Sequence, residues 1–73
     1  MSLVGGDEME KRRITLKAAR VNAGFTQKEV AESIGVAETT IVNWENGKNK
    51  MPIDGLVKLA NLYQMGIDDF LLP

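Results

Sequence analysis

The chain has 73 residues, carries nine Lys and Arg against ten Asp and Glu for a net charge of −1, and contains neither cysteine nor histidine. A chain this short forms at most one small domain, and without disulfides or the usual zinc ligands its stability must come from helix packing or a second subunit. The near-neutral charge argues against nucleic-acid binding by bulk charge alone. No apolar run approaches the roughly 20 residues that cross a bilayer, so we expect no membrane contact, and the missing cysteines fit a reducing cytoplasm.

The folded domain is predicted to span residues 9–73, after a flexible N-terminal arm or cloning remnant at residues 1–8. A first helix is predicted from Asp7 to Ala23, a stretch without Pro or Gly that ends at Gly24. Acids in its first turn suit the positive end of the helix dipole: Asp7, Glu8 and Glu10. Its apolar residues form two neighbouring stripes, one of Leu16, Ala19 and Ala23 and one of Ile14, Ala18 and Val21.

A capping box, Thr26-Gln27-Lys28-Glu29, predicts the start of a second helix. Gly35 should end this helix after about two turns, with a buried face formed by Val30, Ala31 and Ile34. A third helix is predicted from near Ala37 to Glu45, and Asn46-Gly47 should close it. Its buried residues are expected to be Ile41 and Trp44.

Pro52 suits the first turn of a fourth helix, which should stop near Gly66. Its buried residues are predicted to be Leu56, Leu59, Ala60 and Tyr63. A short fifth helical segment, Ile67 to Leu72, is expected to cover the core with Ile67, Phe70 and Leu71. No segment alternates like a strand, so the predicted fold class is all-α.

The second and third helices meet the size rules of a helix-turn-helix unit, which spans Gln27 to Asn46. Where the helices cross, the side chain must be small, and Ala31 is. The turn needs a left-handed backbone, which Gly35 adopts without steric cost. The shared core must be apolar, and its positions hold Val30, Ile34, Val36, Ile41 and Trp44. A helical hairpin with no DNA role is the alternative interpretation.

These residues resemble the Cro/C1-type helix-turn-helix family, also called the XRE family, of phage repressors and small bacterial regulators. The resemblance runs from about Leu16 to Leu72. It rests on Thr26-Gln27-x-Glu29-x-Ala31, Gly35-Val36 and Trp44-Glu45-Asn46-Gly47-Lys48-x-Lys50-x-Pro52. It implies a compact, five-helix, lambda-repressor-like domain that binds double-stranded DNA sequence-specifically as a small transcriptional regulator, in the form of a repressor.

The resemblance also implies which residues meet DNA. The third helix, residues 37–45, would enter the major groove and present Glu38, Thr39, Thr40 and Asn43 to the bases. An asparagine can form two hydrogen bonds with adenine. A glutamate must accept a hydrogen bond from the amino group of cytosine or be held away from the phosphates by a basic side chain such as Lys28. Phosphate contacts would come from Thr26, Gln27, Asn46, Gly47, Lys48 and Lys50.

Arg20 and Glu45 are expected, from the same resemblance, to form a partly buried ion pair between the first and third helices. Removal of one partner of such a pair costs about 3–5 kcal/mol. Two solvated surface charges are the alternative. The chain departs from the family pattern at Ala37, which cannot cap the third helix, and at Ile53, where related repressors can carry a phosphate-binding base.

One recognition helix reads too few bases for specificity, so we expect a homodimer on a palindromic operator. Self-association is predicted at the C-terminal end, unless the same residues only complete the monomer core: Tyr63, Met65, Ile67, Phe70, Leu71 and Leu72. We expect no enzyme activity, cofactor, metal or small-molecule substrate, since capping explains the Asp68-Asp69 pair. The rival function is a protein-interaction module on the same fold, of the antitoxin or anti-repressor type.

Overall fold

The computed structural model describes residues 13–73, which form four helices, one 3-10 turn and a pair of two-residue strands. The elements in chain order are β1 (Ile14–Thr15), α1 (Leu16–Ala23), α2 (Gln27–Ile34), α3 (Glu38–Asn46), α4 (Ile53–Tyr63), the 3-10 turn Ile67–Asp69 and β2 (Phe70–Leu71). Over this part of the chain, no helix has the length and apolarity that a membrane span requires.

The helix-turn-helix unit begins and ends where its capping residues predict. The hydroxyl of Thr26 accepts from the Glu29 amide at 3.0 Å, and the Glu29 carboxylate accepts from the Thr26 amide at 2.8 Å, so the predicted capping box is present. Gly35 ends α2 in the left-handed region with φ 78°, and its N–H donates to the Ala31 carbonyl at 2.9 Å. In the described chain, no side chain caps α3, because the methyl group of Ala37 at the N-cap position cannot accept a hydrogen bond.

Within the described residues, the first helix starts later than predicted. Residues 14–15 form β1, and α1 begins at Leu16, where the Thr15 hydroxyl accepts a 3.1 Å hydrogen bond from the Ala18 amide. The acids expected in its first turn, residues 7–10, lie outside the described residues. Gly24 ends the helix as predicted, with φ 85°.

The two apolar stripes predicted on α1 are only partly buried. Leu16 and Ala19 lie in the core, whereas Ala23 is exposed and Val21 is 57% exposed. The second stripe therefore does not form a buried face. The buried side of α1 consists of Leu16, Ala19 and the charged Arg20.

The predicted fifth helix is wrong: the described chain is mostly helical, as expected, but it has four α-helices instead of five. After α4 ends at Tyr63, Gln64 caps it with φ 59°. The chain then makes the 3-10 turn and pairs β2 with β1 in parallel, Ile14 beside Phe70. Phe70 is buried, but Ile67 is 47% and Leu71 53% exposed, so two of the three residues expected over the core lie outside it. A pair of strands gives hydrogen-bond partners to backbone groups at both ends of the described chain, and it needs fewer residues than a helix does.

The core draws on all four helices and on β2: Leu16, Ala19, Val30, Ala31, Ile41, Trp44, Leu56, Leu59, Ala60, Tyr63 and Phe70. Gly55 lets α4 approach the largest of these side chains, because a Cβ there would lie 2.8 Å from Cη2 of Trp44. Rings of Phe25 and Phe70 flank Tyr63 at centroid distances of 6.2 and 6.4 Å. This core fixes α3 on the domain and leaves its opposite face outside.

Candidate nucleic-acid interface

The outer face of α3 carries polar side chains that the core does not use. Glu38 and Thr39 are exposed, and Thr40 and Asn43 are half-buried at its edge. Thr39 and Asn43 lie one helical turn apart and therefore on the same side of α3. None of the four side chains expected to face bases is buried, so all four remain accessible to a ligand.

The first turn of α2 forms a second polar surface. Thr26 is exposed, with its hydroxyl oxygen engaged by the Glu29 amide. The first N–H groups of a helix have no intrahelical acceptor and attract anions. Gln27, the first residue of α2, is half-buried and donates from Nε2 to Oε1 of Glu45 at 3.0 Å. The expected phosphate ligand Gln27 is therefore tied to α3.

The end of α3 and the loop after it supply side-chain donors but few free amides. Asn46, Lys48 and Lys50 are exposed. The amides of Gly47 and Lys48 already donate to the Trp44 and Asn43 carbonyls, at 3.2 and 2.9 Å. Gly47 itself has φ 73°, and a Cβ there would lie 2.7 Å from Cβ of Pro73. Within this loop, Gly47 thus shapes the backbone, and the donors that face solvent belong to the three side chains.

Beneath these surfaces lies a cluster of charges on Arg20 and Glu45. Arg20 donates to the two Glu45 carboxylate oxygens from Nε at 2.7 Å and from Nη2 at 3.3 Å, and its Nη1 donates to the Phe25 carbonyl at 3.0 Å. The side chains are only 10% and 5% exposed. The hydrogen bond to Glu45 raises the pKa of Arg20 against the opposing effect of burial. The pair thereby links α1, the loop before α2, and α3.

Tyr63 lies close enough to this cluster to sense its charges. Burial, together with the Glu45 carboxylate, raises the pKa of Tyr63 to about 12, against the opposing charge of Arg20. Within the described chain its hydroxyl has no hydrogen-bond partner, although the residue is only 7% exposed. A buried hydroxyl without a partner destabilises the fold.

Lys28 does not hold Glu38 in place, since no ion pair joins the two residues between residues 13 and 73.

The residues of the predicted self-association surface differ in exposure. At the C-terminal end, Tyr63 and Phe70 are buried and Met65 is half-buried. Three residues of the predicted self-association surface remain exposed, at 47%, 53% and 46%: Ile67, Leu71 and Leu72.

Sequence reasoning missed three contributors to this site. Spacing gave no sign that Gln27 reaches Glu45, that Tyr63 lies beside the charged cluster, or that Gly55 makes room for the Trp44 ring. The glycine was the one detectable signal, since glycine inside a helix weakens it and often marks a close approach. The other two contacts join residues far apart in sequence.

Comparisons with known proteins find similarity to helix-turn-helix transcriptional regulators. The helix-turn-helix family model matches residues 16–70. The HTH-type transcriptional regulator ImmR of Bacillus subtilis (strain 168) is 42% identical over 53 residues, which make up 73% of this chain and 42% of ImmR. The uncharacterized HTH-type transcriptional regulator YobD of the same strain is 36% identical over 53 residues, 73% of this chain and 47% of YobD.

An archaeal protein matches over a larger share of its own length. An uncharacterized HTH-type transcriptional regulator of Archaeoglobus fulgidus is 32% identical over 60 residues, which cover 82% of this chain and 86% of that protein. The chain thus spans less than half of the two Bacillus relatives, at 42% and 47%, and most of the archaeal one.

Proposed function

Because the chain belongs to the Cro/C1-type, or XRE, family of helix-turn-helix proteins, we propose that it binds double-stranded DNA sequence-specifically and represses transcription in the cytoplasm. DNA binding and the regulation of transcription are the coarse properties of this family. One observation carries the finer proposal: α3 is anchored by Ile41 and Trp44 on one face and keeps accessible polar side chains on the other.

In the proposed complex, α3 lies in the major groove with its N-terminal half toward the bases. Asn43 reads adenine through its carboxamide, and Thr39 and Thr40 meet either polar base edges or a thymine methyl group. Glu38 accepts from the amino group of cytosine, because a free carboxylate beside phosphates would be repelled. These four side chains set which sequence is bound.

The phosphate backbone is held on both sides of the groove. Thr26 and Gln27 at the start of α2 meet one strand, where the helix dipole favours an anion. Asn46, at the end of α3, meets the other strand together with Lys48 and Lys50 from the loop that Gly47 shapes. These contacts add affinity and register but do not discriminate sequences.

We further propose that two copies bind a palindromic operator. Symmetric dimers of this kind place their recognition helices roughly 34 Å apart, one turn of DNA. Ile67, Leu71 and Leu72 supply the self-association surface, since they are large, apolar and exposed in the monomer. Tyr63 and Phe70 instead complete the monomer core.

Selection of bound sequences from random duplexes tests the proposal, followed by two variants on the selected site. Asn43→Ala should cost about 1–3 kcal/mol on that site and change the preferred sequences, because it removes a base contact. Lys50→Ala should weaken all sequences alike and lower the salt slope by about one, because it removes a phosphate contact. Wild-type affinity and preference in both variants would contradict the placement of α3.

A protein-interaction module on the same fold is the second candidate. The net charge of −1 and the exposed Glu38 favour it, since both repel DNA. Salt separates the two functions. DNA affinity should fall steeply between about 50 and 200 mM salt as counterions are released, whereas a complex with a folded protein partner that tolerates this change would support the interaction module.

A further inference from the structure

A hydrogen bond from Nε2 of Gln27 to Oε1 of Glu45, 3.0 Å long, joins the first residue of α2 to the last turn of α3. Glu45 is held in turn by Arg20, whose Nε and Nη2 occupy both carboxylate oxygens. Gln27 is therefore the outermost member of a chain of three side chains that starts in the interior.

The chemistry of the two groups dictates how the carboxamide is turned. An ionised carboxylate only accepts hydrogen bonds, so Glu45 selects the NH₂ end of the Gln27 amide and repels its oxygen. The planar NH₂ group has a second hydrogen directed away from the first. Gln27 is half-buried, so part of the residue is open to solvent at the start of α2, where the first amides have no intrahelical acceptor.

We infer that Glu45 is a positioning residue for DNA binding, which orients the carboxamide of Gln27 so that one N–H faces the protein and the other donates to a DNA phosphate. The inference rests on the proposed function. Arg20 contributes by fixing the carboxylate, and its third bond, to the Phe25 carbonyl at 3.0 Å, fixes the loop that leads into α2. The ion pair thus acts on binding as well as on stability.

The same arrangement explains why a flexible side chain can serve as an effective phosphate ligand. A free glutamine loses rotamer entropy when it binds, and it must first turn its nitrogen toward the phosphate. Held by Glu45, it presents a donor before DNA arrives. Without Glu45, Gln27 becomes an ordinary surface side chain whose contact with phosphate is weak.

A double-mutant cycle on DNA affinity tests the inference, with a random-sequence duplex of about two helical turns as the probe at low salt. In the parent protein, Gln27→Ala should weaken binding about tenfold, the size of a hydrogen bond to a charged group. In a background with Glu45→Gln, or with Arg20→Met and Glu45→Leu together, the same change should cost less than about twofold. Circular dichroism verifies that each background is folded.

Lys50→Ala provides the matched control, because Lys50 lies on the loop after α3 and makes no contact with Glu45 in the described chain. It should weaken binding by the same factor in every background. A merely structural role for Glu45 would leave the Gln27→Ala factor unchanged as well, and that result would overturn the inference.

Nuclear magnetic resonance on the unaltered protein decides the matter if both backgrounds unfold. In the free protein, one Nε2 proton of Gln27 should exchange slowly and resonate downfield, and added DNA should shift the other. Two rapidly exchanging protons would overturn the inference. Failure of the parent to bind any duplex would overturn the proposed function too, whereas DNA binding that Gln27→Ala leaves intact would overturn this inference alone.

Discussion

The helix-turn-helix unit and the terminal pair, formed by β1, the 3-10 turn and β2, are held together in different ways. In and around the unit, the capping hydrogen bonds join near neighbours, such as Thr26 with Glu29 and Gly35 with Ala31. The terminal pair instead places Ile14 beside Phe70, from the opposite end of the described chain. Distant segments meet at a cost in loop entropy that packing must offset. The stability of the terminal pair therefore depends on few core side chains, whereas that of the helix-turn-helix unit depends on many short-range hydrogen bonds.

The largest expected effect follows from Phe70→Ala. Its ring is buried beside that of Tyr63, with centroids 6.4 Å apart, and it is the one core residue that β2 supplies. Truncation should lower the free energy of unfolding by about 3–5 kcal/mol, measured by urea denaturation at neutral pH. Leu71→Ala is the control on the same strand, and because Leu71 is 53% exposed its change should stay within about 0.5 kcal/mol. A loss for Phe70→Ala as small as that for Leu71→Ala would mean that backbone pairing, and not the burial of Phe70, holds the ends together.

Tyr63 contacts the rings of both Phe25 and Phe70 and thus connects the loop before α2 to the terminal pair. Its pKa is raised to about 12 in the folded state, against about 10 for an unfolded tyrosine. Between these pH values the unfolded chain loses the Tyr63 proton first, so ionisation favours the unfolded state. The free energy of unfolding should therefore keep its full value below pH 10 and fall by about 2 kcal/mol as the pH rises toward 12.

Tyr63→Phe supplies the comparison, since it should not show this additional alkaline loss. At neutral pH it should be as stable as the parent or more so, because it removes a buried hydroxyl without a partner. Tyr63 is the only tyrosine of the chain, so tyrosinate absorbance follows its ionisation directly. Ionisation of the folded protein near pH 10 would show that water reaches the hydroxyl.

The smallest expected effects concern the two helix starts in the helix-turn-helix unit. Thr26→Ala removes the oxygen that caps α2 and should cost about 1 kcal/mol, whereas Ala37→Ser adds a missing cap to α3 and should gain about 1 kcal/mol. Thermal unfolding measures both. Because capping is local, each change should persist at full size in the Phe70→Ala background. A change that disappears there would show that the two regions unfold separately.

The proposed DNA-facing positions were largely predictable, because periodicity and crossing rules identify which face of α3 is buried. Ile41 and Trp44 had to point inward, so Thr39 and Asn43 had to lie outside or at the edge. The bond from Gln27 to Glu45 was not predictable, since it depends on how two helices cross. Nor was the use of the Gly47 amide within the chain, which requires the actual backbone of the loop.

Short-range rules were enough for the capping box, for the glycines that end α1, α2 and α3, and for the crossing of α2 and α3. Each depends on the backbone preferences and hydrogen bonds of residues only a few positions apart. Three-dimensional packing was needed for the pairing of β1 with β2 and for the cluster that joins Arg20, Glu45 and Gln27. In these cases the deciding partner is distant in sequence, and local preference is too weak to outweigh the contact that forms when the core closes.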